Sequence, residues 1–198
     1  MPFLRWRVRR RPWRECLKQI KVLLLRGVNV SGANRLPMPE FREMLAEQGV
    51  QDVQTHIQSG NAVFCDPGVP DLLGKVAAAM LNRFGFAPAM FLMDLAGYEA
   101  ILRANPYAAQ GAVDGAKVHI YFLSEPAPKT DLVALRALAT AGEAVTLTDK
   151  ALYLLAPNGI GRSVLAEKLE RHIAVKITAR NQRSAESIAA LARGIAAA

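Results

Sequence analysis

Residues Lys21–Asn34 read KVLLLRGVNVSGAN, and this stretch decides the architecture. Val22–Val28 is an apolar run with β-branched ends, which predicts a strand. It breaks at Arg26 into a segment of Gly, Asn and Ser, the residues that build turns. The next residues, Pro39–Gln48, place Phe41, Met44 and Leu45 on one face of a helix, with Gly49 as its stop. A strand leading through a polar loop into a helix is the first half of a βαβ-type unit.

Outward from there the pattern continues. Val53, Thr55 and Ile57 alternate with polar residues, Ser59-Gly60 makes a tight reversal, and Ala62–Cys65 returns as a strand. Asp71 caps a helix to Phe84, carrying Leu72, Leu73, Val76, Ala79 and Met80 at helical spacing, and Gly85 ends it. Ala89–Met93 is a further strand. Asp94–Arg103 reads as a linking helix and Asn105–Ala116 as loop. The order then repeats. Val118–Leu123 is a strand, Thr130–Thr140 a helix, Ala144–Thr148 and Leu152–Leu155 a hairpin across Asp149-Lys150, Gly161–Arg171 a helix and Ile173–Thr178 a strand. Ser184–Leu191 closes the chain as a helix.

The expected fold is therefore α+β: two tandem βαββαβ ferredoxin-like units with a linking helix and a C-terminal helix. Residues 20–94 form the first unit. Residues 95–198 hold the linking helix, the second unit and the closing helix. Residues 1–19 are a basic extension.

The charge supports that division. The net charge is +8. Residues 1–20 contain Arg5, Arg7, Arg9, Arg10, Arg11, Arg14 and Lys18 against Glu15 alone, a surplus of six that leaves +2 for the other 178 residues. The high pI belongs to the leader, which is expected to be disordered; such a tail binds polyanions without specificity. No apolar stretch follows the arginines as a secretory signal requires, and no run is long enough to span a membrane. Two cysteines, Cys16 and Cys65, do not make a disulfide framework, so a cytoplasmic setting is expected. Three isolated histidines give no metal-ligand spacing, and neither a metal nor a cofactor is expected. The oligomeric state is not encoded in any pattern recognised in the chain.

Four polar segments are candidate sites. The first holds Arg26, Gly27, Asn29, Gly32, Asn34 and Arg35; its glycines let backbone approach a ligand, and its arginines suit phosphate or carboxylate. A charge at the end of an apolar strand needs a partner or an opening to water. The second, Ile57–Asn61, carries Gln58, Ser59, Gly60 and Asn61, which a hairpin turn alone explains unless they face the first. The third, Pro157–Ser163, brings Gly161, Arg162 and Ser163 to a helix N-terminus, where an anion or a simple capping role fits. The fourth, Thr178–Ser184, adds Arg180, Asn181 and Arg183 as a loop between the last strand and helix.

No Ser, His and Asp can be assigned to one another as a catalytic set. RNA-recognition sheets stack bases on strand aromatics, but here strand one has none and strand three only Phe64. The leading expectation is a binding protein for a phosphorylated small molecule or nucleotide. A nucleic-acid-associated protein and an enzyme acting on an acidic substrate are the alternatives.

The segments LLLRGVNVSGANRLPM, THIQSGNAVF, YLLAPNGIGRSVLAEKL and ITARNQRSAESIAAL, in this order over about residues 20–193, resemble the domain of unknown function 1697 family. The resemblance implies an α+β fold with ferredoxin-like parts and a start near the first strand. It supplies no activity. The family tends to have Arg-Asn-Trp-Asn-Thr where this chain has Arg180-Asn181-Gln182-Arg183-Ser184, so the aromatic is lost here.

Overall fold

A computed structural model describes residues 19–30, 32, 34–140 and 142–197. The basic leader and Cys16 lie outside the described residues. The first unit runs β1 (Ile20–Leu25), α1 (Met38–Glu47), β2 (Gln51–His56), β3 (Asn61–Cys65), α2 (Leu72–Phe84) and β4 (Met90–Asp94). Two helices follow, α3 (Leu95–Arg103) and α4 (Ala108–Val113). The second unit is β5 (Val118–Leu123), α5 (Leu132–Ala137), β6 (Ala144–Leu147), β7 (Ala151–Leu155), α6 (Val164–His172) and β8 (Ile177–Asn181), and α7 (Gln182–Ala197) closes the chain.

The sheets have matching orders, β2-β3-β1-β4 and β6-β7-β5-β8, with every paired neighbour antiparallel. That is the split βαβ order twice over, so the tandem α+β expectation stands.

Side-chain alternation along β1 explains its continuous apolar run. Leu23 and Leu25 face α1 and α2 in one cluster. Val22 and Leu24 face the other way, into a cluster shared with Ile120 and Phe122 of β5 and with α3 and α7. A third cluster puts α5 and α6 on the far face of the second sheet. Each sheet is thus covered on both faces, and α7, last in sequence, packs on β1, β2 and β3 of the first unit. Tyr98 of α3 stacks on Phe122 of β5 at 5.3 Å and 7°, and its hydroxyl donates to the Ala185 carbonyl of α7 at 3.0 Å.

Capping residues set several boundaries as read. Asp71 accepts from the Gly74 amide and Asp94 from Gly97. Four expectations are corrected. The segment 105–116 contains the short helix α4, preceded by a turn in which the buried Asn105 side chain accepts from the Tyr107 amide. Helix α5 is shorter than its periodicity suggested. The helix expected from Gly161 begins at Val164, after a separate 3-10 turn at Ile160–Arg162 that Ser163 interrupts in extended conformation. The last strand is Ile177–Asn181 and leads directly into α7, so Arg180 and Asn181 lie in a strand and not a loop. There the β5 ladder, with Ile120 opposite Arg180, outweighs the polarity of the side chains.

Candidate functional site

Strand β1 delivers Arg26 to one end of the first sheet. Its guanidinium is half-exposed and pairs with Glu170 of α6 at 2.6 Å. The loop beyond is closed by its own asparagines. Asn29, at φ 54°, accepts from the Leu36 amide and donates to the Leu36 and Gln58 carbonyls. Asn34 donates from its side chain to the Gly27 carbonyl, and its own carbonyl accepts from the Asn29 amide. Gly32 is exposed. The first and second loops therefore touch through Asn29 and Gln58. Gly60 seals the contact: its carbonyl accepts from the Leu25 amide, and a Cβ there would lie 2.6 Å from Val28 Cγ2.

Asn61 is fully buried. Its Nδ2 donates to the His56 carbonyl and to Ser59 Oγ, and its Oδ1 accepts from Arg180 Nε. Arg180 reaches across from the second sheet. Its other donors bond Thr178 Oγ1 (3.0 Å), the Ala179 carbonyl (2.7 Å), the Leu25 carbonyl (2.8 Å) and the Ser59 carbonyl (2.9 Å). All five guanidinium protons have acceptors, and no carboxylate is among them. Burial draws Arg180 down to about 10, while the neighbouring Tyr98 opposes the shift; the group stays charged at neutral pH. Asn181 Oδ1 accepts from the Ser184 amide and starts α7.

The third loop borders a cleft of about 410 Å³ lined by Tyr121, Ile160–Val164, Ala166 and Glu167. Gly159, at φ 88°, turns the chain into the 3-10 turn, which leaves Gly161 and Arg162 exposed. Ser163 is buried and caps α6 by accepting from the Ala166 amide at 2.9 Å. The Val164 and Leu165 amides precede the helix's own hydrogen-bond ladder. Arg162 makes no ion pair among the described residues. Tyr121 is pushed up to about 12 by burial and then by the nearby Glu170 carboxylate. Glu170 thus neighbours both Arg26 and a wall of the cleft.

The structure brings the first, second and fourth segments into one bonded cluster; Arg26 of the first also pairs with Glu170 of α6, the helix that follows the third segment. It does not place all their side chains in one cavity: Asn29, Asn34, Asn61 and Arg180 bond other parts of the protein. Tyr121, Glu167 and Glu170 were not anticipated as site residues. The signal for the two acids was their i, i+3 spacing on the helix behind the glycine loop. Among the described residues no group of His, Cys, Asp or Glu could hold a metal ion, and no helix is long and apolar enough to cross a membrane.

A family described as "Protein of unknown function (DUF1697)" matches residues 19–153. The chain belongs to the DUF1697 family. Among solved structures it is similar to a conserved bacterial protein, SP0830 from Streptococcus pneumoniae, with a TM-score of 0.64 and 23% identity over 87% of this chain and 98% of that one. At that identity the likeness concerns the fold. No curated protein matches the chain.

In this DUF1697 chain, position 182 is informative. Gln182 is buried, accepts from Asn105 Nδ2 at 2.9 Å and donates to the Ala108 carbonyl and to Glu186. A Cβ on Gly111 would meet its Oε1 at 1.8 Å. The side chain where the family tends to carry an aromatic thus faces the α4–α7 contact rather than the cleft.

Proposed function

We propose that this protein binds a small phosphorylated molecule, of nucleotide size, in the cleft over the start of α6. One observation carries the reading: exposed Arg162, the Ile160–Ser163 turn and Val164 at the start of α6 border a single cleft that Tyr121 and Glu167 also line. Glycine-rich backbone at a helix N-terminus, with an arginine beside it, suits a phosphate. Glu167, on the same cleft, suits a hydroxyl or amino group elsewhere on the ligand. The volume falls within the roughly 300–1,000 Å³ of small-molecule pockets. A cytoplasmic setting belongs to the same proposal. Nucleic-acid association gains no support from the sheets, whose faces are covered by helices.

Calorimetric titration with a nucleoside monophosphate tests the reading. Arg162→Ala is expected to weaken binding about tenfold, the scale of one charge-assisted contact. Absence of binding, or unchanged binding by the variant, would overturn it.

A further inference from the structure

A second and larger cleft, of about 590 Å³, opens between α3 of the linker and the turn joining β6 to β7. Its floor is apolar: Met93, Ile101 and the ring of Tyr153. Gly97, Ala100 and Ala104, one helical face at spacings of three and four, form one wall and keep it open because their side chains are small. Tyr153 adds no free polar group to the floor, since its hydroxyl donates to the Ile101 carbonyl at 2.8 Å.

The charged groups lie at the rim. Asp94 uses Oδ1 to cap α3 at Gly97, which leaves Oδ2. Asp149 and Lys150 sit on the turn opposite, both exposed, and neither has an ion-pair partner among the described residues. Two carboxylates against one ammonium give the mouth a net negative charge. The cleft lies at the junction of two structural units, a common place for ligands, and its combination of apolar floor and few charged groups is what such pockets show.

We infer that this cleft binds a small apolar molecule carrying a primary ammonium group, with its hydrocarbon part on Ile101 and Tyr153 and its ammonium between Asp94 and Asp149. Charge complementarity selects the amine over a carboxylic acid of the same shape. The site is separate from the cleft over α6, and its ligand would be bound whether or not that cleft takes a phosphate.

The test uses the full chain with 2-phenylethylamine and 3-phenylpropionate as matched probes, followed by amide chemical-shift titration at constant ionic strength. The amine should shift Gly97, Ala100 and Lys150 in a saturable way and bind at least fivefold tighter than the acid. Ala100→Leu fills the wall at an exposed helical position where Leu is a good helix former. It should abolish binding and leave the remaining spectrum in place. Asp149→Asn should weaken the amine several-fold and strengthen the acid, narrowing the gap between them. Equal binding of amine and acid, tighter binding of the acid, or full binding to a folded Ala100→Leu protein would overturn the inference.

Discussion

The guanidinium of Arg180, on the last strand of the second sheet, donates to the carbonyl of Leu25, the last residue of the first strand, at 2.8 Å. Thr178 Oγ1 donates to the same carbonyl at 3.3 Å. The two halves are therefore joined by polar contacts at the strand ends as well as by a shared apolar core. Arg180→Met should leave the Ser59 carbonyl and Asn61 Oδ1 without their donor, and the Leu25 carbonyl with the Thr178 bond alone. Each such unpaired buried group costs about 1–3 kcal/mol, so a loss of at least about 2 kcal/mol is expected by urea unfolding. Arg180→Lys, with fewer donors and no fork, should fall between.

Tyr98 bridges the helix layer to the second sheet, so its truncation should be felt in both halves. Tyr98→Ala is expected to cost about 3–5 kcal/mol and to lower amide-exchange protection in β1 and β5 by the same factor. Loss of protection in β5 alone would mean that the units open separately.

Gly60 combines a positive φ of 69° with contacts of 2.6 Å and 2.7 Å from an added Cβ to Val28 and Leu25. Gly60→Ala should therefore destabilise by at least about 2 kcal/mol. The same change at exposed Gly27, where a Cβ meets nothing within 4 Å, should cost less. Thermal unfolding of the two variants side by side measures the difference.

His119 gives a pH dependence with a defined sign. It is buried, and its Nε2 has no hydrogen-bond partner among the described residues. Burial pulls its pKa below 6.5, only partly offset by a hydrogen bond with the Ala116 backbone. The unfolded chain then binds more protons than the folded one at mildly acid pH. Stability should be complete above about 6.5 and fall as pH drops below it, levelling once the lowered folded value is passed. Burial shifts His56 the same way. His119→Gln should flatten most of this slope in denaturant titrations between pH 7 and 5.

The first unit was legible because its signals were local. The apolar run at Val22–Leu25, the Gly49 and Gly85 stops and the Asp71 and Asp94 caps each act within a few residues. The end of the second unit was not. Ile173–Thr178 carries the apolar residues of a strand, yet the ladder forms at Ile177–Asn181 because pairing with β5 fixes the register. Nothing near Arg180 announces burial; three of its five acceptors come from Leu25, Ser59 and Asn61, more than a hundred residues away. The candidate loops were visible as turn-rich segments. Which of their side chains bond the protein and which border a cleft depends on how the two sheets face each other, and no local pattern encodes that.

The central claim is that the cleft over α6 takes a phosphorylated small molecule. Amide chemical-shift mapping during titration with a nucleoside monophosphate tests it most directly. Saturable shifts at Gly161, Ser163, Val164 and Leu165, diminished in Arg162→Ala, are the predicted result. Shifts confined to other parts of the protein, or none at millimolar ligand, would contradict it.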